Sequence, residues 1–235
     1  MDFFTPAINQ LLDSWLEEDI GRGDLTRHAF TNAKVSAHWL AKQSGVFCGG
    51  PLVEQLFQRL DPSVSVRMLK EDGAFIEVGD RLLELVGSAA VLLAGERTAL
   101  NLAMRLSGIA TATSLLVAQL EGTGVRLVDT RKTTPGMRLF EKYALRCGGG
   151  INHRFGLDDA AMLKENHLAW ISDMNSAVMA IRKRAPWTSR VIIEAETVEQ
   201  AEKAVLAGAD AVLLDEFSPD ALHALVPRLR KLSPI

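Results

Sequence analysis

Residues 191–215 read VIIEAETVEQAEKAVLAGADAVLLD, and this stretch decides the fold class. Val191 to Glu194 is a short apolar run that ends in an acid. Thr197 with Gln200 forms a capping box before an amphipathic helix starting near Val198, and Gly208 stands where a helix C-terminal glycine belongs. A second apolar run, Ala211 to Asp215, again ends in an acid. Strand, polar tip, helix and strand in this order make a parallel βα unit.

Working outward, the same texture begins after Gly124. The strands are Val125 to Asp129, Ala161 to Lys164, Val191 to Glu194 and Ala211 to Asp215, with helices starting near Pro135, Asp173, Val198 and Pro219. Thr134-Pro135 and Ser218-Pro219 place a capping hydroxyl before a proline at the first helical position. Gly148-Gly149-Gly150 follows a helix rather than opening one, so it is no dinucleotide fingerprint. Four units of this kind fit an open doubly wound sheet or an α/β barrel, complete or incomplete. The polar residues at the strand ends favour the barrel.

Upstream the texture differs. From about Thr31 to Val86 the chain reads as a small β-rich layer: Ser36 to Ala41 as strand, Pro51 to Leu60 as helix, then strands over Phe75 to Asp80 and Leu82 to Val86. Ser88 to Ser107 reads as a long helix and Thr111 to Leu120 as a second. The expected organisation is therefore α/β plus a small β-rich domain, divided into residues 1–108 and 109–235. The N-terminus carries Asp2, Asp13, Glu17, Glu18 and Asp19 without Lys or Arg, the wrong charge for a signal peptide. Ile8, Leu11, Leu12, Trp15 and Leu16 mark one face of a helix there.

A hydrophobic share of 48% and a charged share of 23% describe a chain that buries a core, so disordered and collagenous classes are excluded. The net charge of −3 argues against a surface that tracks nucleic acid. Cys48 and Cys147 are the only cysteines and read as two ordinary reduced thiols, outside any disulfide framework. No apolar run is read as a membrane span, and the expectation is a soluble cytoplasmic protein.

The candidate site lies where strands end. Asp129 with Arg131 and Lys132, then Lys164, Glu194 and Asp215 close the four strands in turn. The loop after the triple glycine adds His153 and Arg154. Arg97 stands in line with Leu93, Leu100 and Met104, a guanidinium on an apolar stripe that must find an anion, emerge at an interface or snorkel. Cations in that excess suit a substrate carrying several carboxylates or phosphates. Glu194 and Asp215 suit magnesium or ribose hydroxyls, both of which need oxygen acceptors.

Asp129-Thr-Arg-Lys-Thr-Thr-Pro-Gly136, Glu141-Lys-Tyr-Ala144, Gly148-Gly-Gly-Ile-Asn-His-Arg154 and Lys164-Glu-Asn-His167 closely resemble the quinolinate phosphoribosyltransferase family. Glu18-Asp-Ile-Gly21, Gly23-Asp-Leu-Thr26, Gly95-Glu-Arg-Thr-Ala-Leu-Asn101 and Ser107-Gly-Ile-Ala-Thr111 are similar to it as well. The resemblance implies a type II phosphoribosyltransferase fold, an incomplete α/β barrel with an open-faced N-terminal sandwich. It implies transfer of phosphoribosyl from phosphoribosyl pyrophosphate to quinolinate with decarboxylation, in de novo NAD synthesis. It assigns Arg131, Lys132, His153, Arg154 and Lys164 to quinolinate, with Arg97 supplied across a homodimer interface or within a larger assembly. Glu194 and Asp215 go to the ribose and Mg²⁺, and no organic cofactor, nucleic acid or membrane is implied. Lys132, Lys164, Glu194 and Asp215 are the catalytic candidates.

Two departures are visible. The family's Gly-Gly-Ile turn and Ser-Val-Gly strand end, which help bind phosphate, do not follow Asp215, and the chain reaches Ser233-Pro234-Ile235 after one more helix, as a truncated or shortened barrel would. Ile192 stands where the family commonly has an acid. The rival readings are the molybdenum-transport-associated paralogue on the same scaffold, a Schiff-base lyase built on Lys164, and a non-catalytic anion-binding dimer.

Overall fold

The computed structural model describes residues 5–30 and 34–232. Asp2, the start of the β-rich layer at Thr31 and the terminal Ser233-Pro234-Ile235 lie outside them. The chain packs as two compact units, one through His153 and one from Arg154. The expected division at residue 108 falls inside a continuous helix.

The first unit opens with α1 (Pro6–Ile20), capped by the Thr5 hydroxyl, and a short 3₁₀ turn at Leu25–Ala29. Ile8, Leu12 and Leu16 of α1 are buried, as their spacing predicts. Then follow β1 (Lys34–Leu40), β2 (Gly45–Val46), α2 (Gly50–Leu60), β3 (Ser65–Met68), β4 (Phe75–Ile76) and β5 (Arg81–Ser88). The antiparallel sheet has the order β1-β5-β3, and β2 pairs with β4. The β2 and β3 pairings are additions to the sequence reading, and the run expected as strand to Asp80 turns after Ile76. Leu83 and Leu85 of β5 are buried with Leu52, Val53, Leu56 and Phe57 of α2, while β1 stays largely exposed, so the sheet is covered on one face. That is an open-faced sandwich.

Helix α3 (Ala89–Gln119) corrects the expectation of two helices. Gly108 does not interrupt it, because a glycine in a helix costs only about 1 kcal/mol. The face bearing Leu92, Ala99, Leu102, Ala103, Leu106 and Ala110 is buried, and each buried leucine offsets about 1.5–3 kcal/mol. Gly95 lets α3 approach α2: a Cβ there would lie 2.8 Å from Leu60 and Phe57. By length and composition alone α3 is also apolar enough to span a bilayer. Its buried face, however, belongs to the core shared with α1 and α2. Helix α4 (Arg138–Cys147) completes the unit, with its Phe140 ring against Trp15 of α1 at 5.2 Å between centroids.

The expected strand Val125 to Asp129 is reduced to an extended segment with one parallel bridge, Val128 to Ile151. The expected start of α4 at Pro135 also moves. Residues 135–137 form a turn, and the Thr134 hydroxyl accepts from Arg105 instead of capping the helix.

The second unit holds β6 (Ala161–Leu163), a single-turn α5 (Glu165–Leu168), α6 (Met174–Arg182), β7 (Val191–Ala195), α7 (Val198–Leu206), β8 (Ala211–Leu214) and α8 (Pro219–Leu232). The strands are parallel in the order β6-β7-β8. Asp173, Thr197 and Ser218 accept the backbone N–H groups of Ser176, Gln200 and Ala221, so three helices start where their capping residues predict. Val191, Ile193, Leu163 and Val178 form the core between sheet and helices. Among the described residues the architecture is mixed α/β, with no closed barrel.

Candidate active site

In the first unit, Asp129 is the hub. Its carboxylate accepts from the Lys142 ammonium, from Asn152 Nδ2 at 2.8 Å and from the His153 backbone N–H at 2.7 Å. Lys142 also donates to the His153 carbonyl at 3.0 Å. The side chains of Lys142 and Asp129 are only 1% and 8% exposed, so this is a buried ion pair with its remaining valences filled. By sequence Asp129 is one of the open strand-end charges; in the structure it is the clamp that ties the Asn152-His153 loop to the segment leading into Arg131 and Lys132.

The part Lys142 plays in this loop is not legible in the sequence. A lysine on an amphipathic helix reads as solvated, and only the motif around Glu141-Lys-Tyr-Ala144 marked its neighbourhood. Arg131 and His153 are half-buried and Lys132 is exposed. Gly148 and Gly150 make the loop's path possible, because a Cβ on Gly148 would lie 2.3 Å from the Ala110 carbonyl oxygen and one on Gly150 2.5 Å from Leu145. The run is thus packed tightly, not a mobile hinge.

Arg97 is exposed, and so are Leu93 and Met104 on its stripe, so this row is the solvent face of α3 and not the core. Arg97 lines a cleft of about 300 Å³ with Glu18, Asp19, Asn101, Arg105 and Trp15. Nearby, Arg105 is paired with Glu141. Burial opposes the Glu141 charge, but hydrogen bonds from Arg105 and Thr134 outweigh it and hold the carboxyl below the usual glutamate range.

In the second unit the parallel register sets Lys164, Glu194 and Asp215 at the carboxyl ends of adjacent strands, since Leu163 pairs with Ile193 and Ala195 with Leu214. Lys164 Nζ donates to Glu194 Oε2 at 2.8 Å; the lysine side chain is 44% exposed and the glutamate 10%. An amine engaged in an ion pair and open to water is not the desolvated nucleophile that a Schiff-base lyase needs. Asp215 is exposed, and its Oδ1 accepts from the Glu216 N–H at 3.2 Å. Glu216 has φ 60°, the one non-glycine residue in the left-handed region among those described, and such strain collects at functional strand ends. Arg154 is half-buried and donates to the Ala160 carbonyl at 2.8 Å. His167, on the single-turn α5 that sequence reasoning missed, accepts from the Lys164 N–H at 3.2 Å through Nδ1 and fixes that strand end.

Parallel strands whose carboxyl ends carry a lysine and carboxylates put charged groups where α/β enzymes hold their working residues. The comparisons narrow this. Residues 24–107 and 109–234 match the N-terminal and C-terminal domains of quinolinate phosphoribosyl transferase. A probable nicotinate-nucleotide pyrophosphorylase [carboxylating] of Bacillus subtilis is 42% identical over 97% of this chain and 78% of its own length. The human nicotinate-nucleotide pyrophosphorylase [carboxylating] is 40% identical over 95% of this chain and 75% of its own. The crystal structure of NadC from Streptococcus pyogenes superposes with a TM-score of 0.92 at 38% identity, covering 99% of this chain and 83% of that one. The chain belongs to the quinolinate phosphoribosyltransferase family, and its activity is the family's, phosphoribosyl transfer in NAD biosynthesis. These relatives do not favour the molybdenum-associated paralogue.

Proposed function

We propose that Arg131, Lys132, His153, Arg154 and Lys164 bind the two carboxylates of quinolinate, that Arg97 is contributed across a homodimer interface, and that Glu194 and Asp215 hold the ribose hydroxyls of phosphoribosyl pyrophosphate. The observation that carries this reading is the alignment of Lys164, Glu194 and Asp215 on three neighbouring strand ends. Arginines take carboxylates in two-pronged contacts and fix the ring plane, while the lysines act as point charges. The pyridine nitrogen attacks the anomeric carbon as the bond to pyrophosphate breaks, and cationic side chains stabilise the charge growing on the leaving group. The adjacent carboxylate then leaves as carbon dioxide, its electron pair stabilised by the quaternary nitrogen until a proton is taken up. Lys132 and Lys164 position and stabilise charge without forming a covalent bond.

The donor set fits Mg²⁺: Asp215 is an exposed carboxylate and Glu194 has one oxygen beyond the Lys164 ion pair, while magnesium commonly takes one or two carboxylates and completes its shell from substrate phosphates and water. When bound, the ion neutralises pyrophosphate charge. The compartment is the cytoplasm, and the apolar, exposed row of Leu93 and Met104 beside Arg97 supports a dimer built on α3.

The test is an assay with phosphoribosyl pyrophosphate, carboxyl-labelled quinolinate and Mg²⁺, following labelled carbon dioxide and nicotinate mononucleotide. Arg154→Ala and Lys132→Ala should raise the KM for quinolinate, and Arg97→Ala should be rescued in mixed dimers carrying a second variant at Lys132. Unchanged kinetics in these variants would refute the assignment.

A further inference from the structure

Cys48, Asp72 and Cys147 meet inside the first unit, with their ligating atoms all within 4.8 Å of one another. Composition gave no reason to pair the thiols, which lie 99 positions apart in the sequence. Their settings are unequal. Cys48 is fully buried, and its backbone is clasped by Ser107 of α3, whose hydroxyl accepts from the Cys48 N–H at 2.9 Å and donates to its carbonyl at 3.2 Å. Cys147 is half-buried and is the last residue of α4, so it lies nearer the surface than Cys48.

Asp72 is committed elsewhere. Its two oxygens accept the Gly49 and Gly50 N–H groups at the start of α2, each at 2.9 Å, and the Tyr143 hydroxyl at 2.8 Å. A carboxylate spent on capping a helix is a poor third ligand for a metal, which leaves a pair of thiols. We propose that Cys147 and Cys48 are an oxidisable dithiol, with Cys147 the sulfur that reacts with peroxide and Cys48 the resolving thiol that closes an intramolecular disulfide.

The charge distribution agrees with these roles. A hydrogen bond from Cys48 holds the Cys147 thiol below its ordinary pKa against the effect of burial. The Cys48 thiol is pushed up by its hydrogen bond to Cys147, by burial and by the Asp72 charge. The thiolate is the nucleophile in such chemistry. In the first step the Cys147 thiolate attacks one peroxide oxygen; an S–O bond forms, the O–O bond breaks, sulfur loses two electrons and hydroxide leaves. In the second, the Cys48 sulfur attacks the Cys147 sulfur, the S–S bond forms, the S–O bond breaks, and the hydroxide takes the Cys48 proton to leave as water. Reaching a sulfur separation of about 2 Å requires movement of the α4 end, because Cys48 is held from both sides.

The test uses the reduced full chain, treated with hydrogen peroxide and read by intact mass without reductant and by maleimide labelling. The expected result is loss of both thiols together, a mass lower by two hydrogens in the single chain, and recovery of both thiols with dithiothreitol. Cys48→Ser should stop at a Cys147 sulfenic acid that dimedone captures, and Cys147→Ser should leave Cys48 unreactive. Persistence of both thiols in the folded wild-type chain would overturn the proposal. So would equal peroxide reactivity of Cys48 in Cys147→Ser, or stoichiometric uptake of zinc ion alone that blocks both thiols of the reduced chain. These readouts do not depend on phosphoribosyl transfer.

Discussion

The Asp129–Lys142 and Lys164–Glu194 pairs are the same chemistry in two settings. In the first unit both partners are nearly sealed from water, and the carboxylate is shared among a lysine, an asparagine and a backbone N–H. In the second, the lysine is 44% exposed and the pair has spare donors and acceptors. The difference separates a pair closed around a loop from a pair with one partner open to solvent. Burial and saturation decide which is which, since both look alike as a lysine and an acid in sequence.

The comparison breaks first on stability. Lys142→Met should cost about 3–5 kcal/mol, the penalty for stranding one partner of a buried pair, read as a lower urea midpoint. The double variant Asp129→Asn, Lys142→Met should recover part of that loss, because it removes the stranded charge. Lys164→Ala should cost less than Lys142→Met in the same measurement, because the lysine it removes is half open to water although Glu194 is left nearly buried, yet lower kcat for nicotinate mononucleotide formation by about 10²-fold or more. Equal destabilisation by the Lys142 and Lys164 variants would remove the distinction between the two pairs.

A smaller effect concerns a polar group with the opposite problem. Gln55 on α2 is 4% exposed, and neither its amide nitrogen nor its oxygen has a hydrogen-bond partner among the described residues. An unsatisfied buried amide costs about 1–3 kcal/mol. Gln55→Leu should therefore raise the urea midpoint, by the equivalent of about 1 kcal/mol, and a lowered midpoint would mean the amide has a partner in solution.

The legibility of the two units follows from the same physics. Caps and periodicity are local, so Asp173, Thr197, Ser218 and the α1 stripe announced their helices in sequence. The strand-end positions of Lys164, Glu194 and Asp215 followed from the apolar runs before them. Features made by distant segments were not legible. Gly108 reads as a break only until the buried face of α3 is known, and β2 is two residues long, too short for alternation to register. The Thr134 cap failed because Arg105, 29 positions upstream, competes for the hydroxyl. Lys142 looked solvated because nothing near it in sequence says that Asp129 is its partner.

The smallest expected effect sharpens the picture at the border of the first unit's network. Glu141 is held below the usual glutamate pKa by Arg105 and Thr134 despite burial. A carboxyl whose folded pKa is depressed contributes stability above its unfolded pKa and loses it as pH falls through the folded value. The stability difference between wild type and Glu141→Gln should therefore be largest near neutral pH and shrink on acidification below about pH 4, where the unfolded carboxyl titrates. Urea titrations of both proteins across that window test the sign. A difference that grew toward acid would mean that the Arg105 contact does not outweigh burial, and that Glu141 resembles an isolated buried acid more than a member of an ion pair.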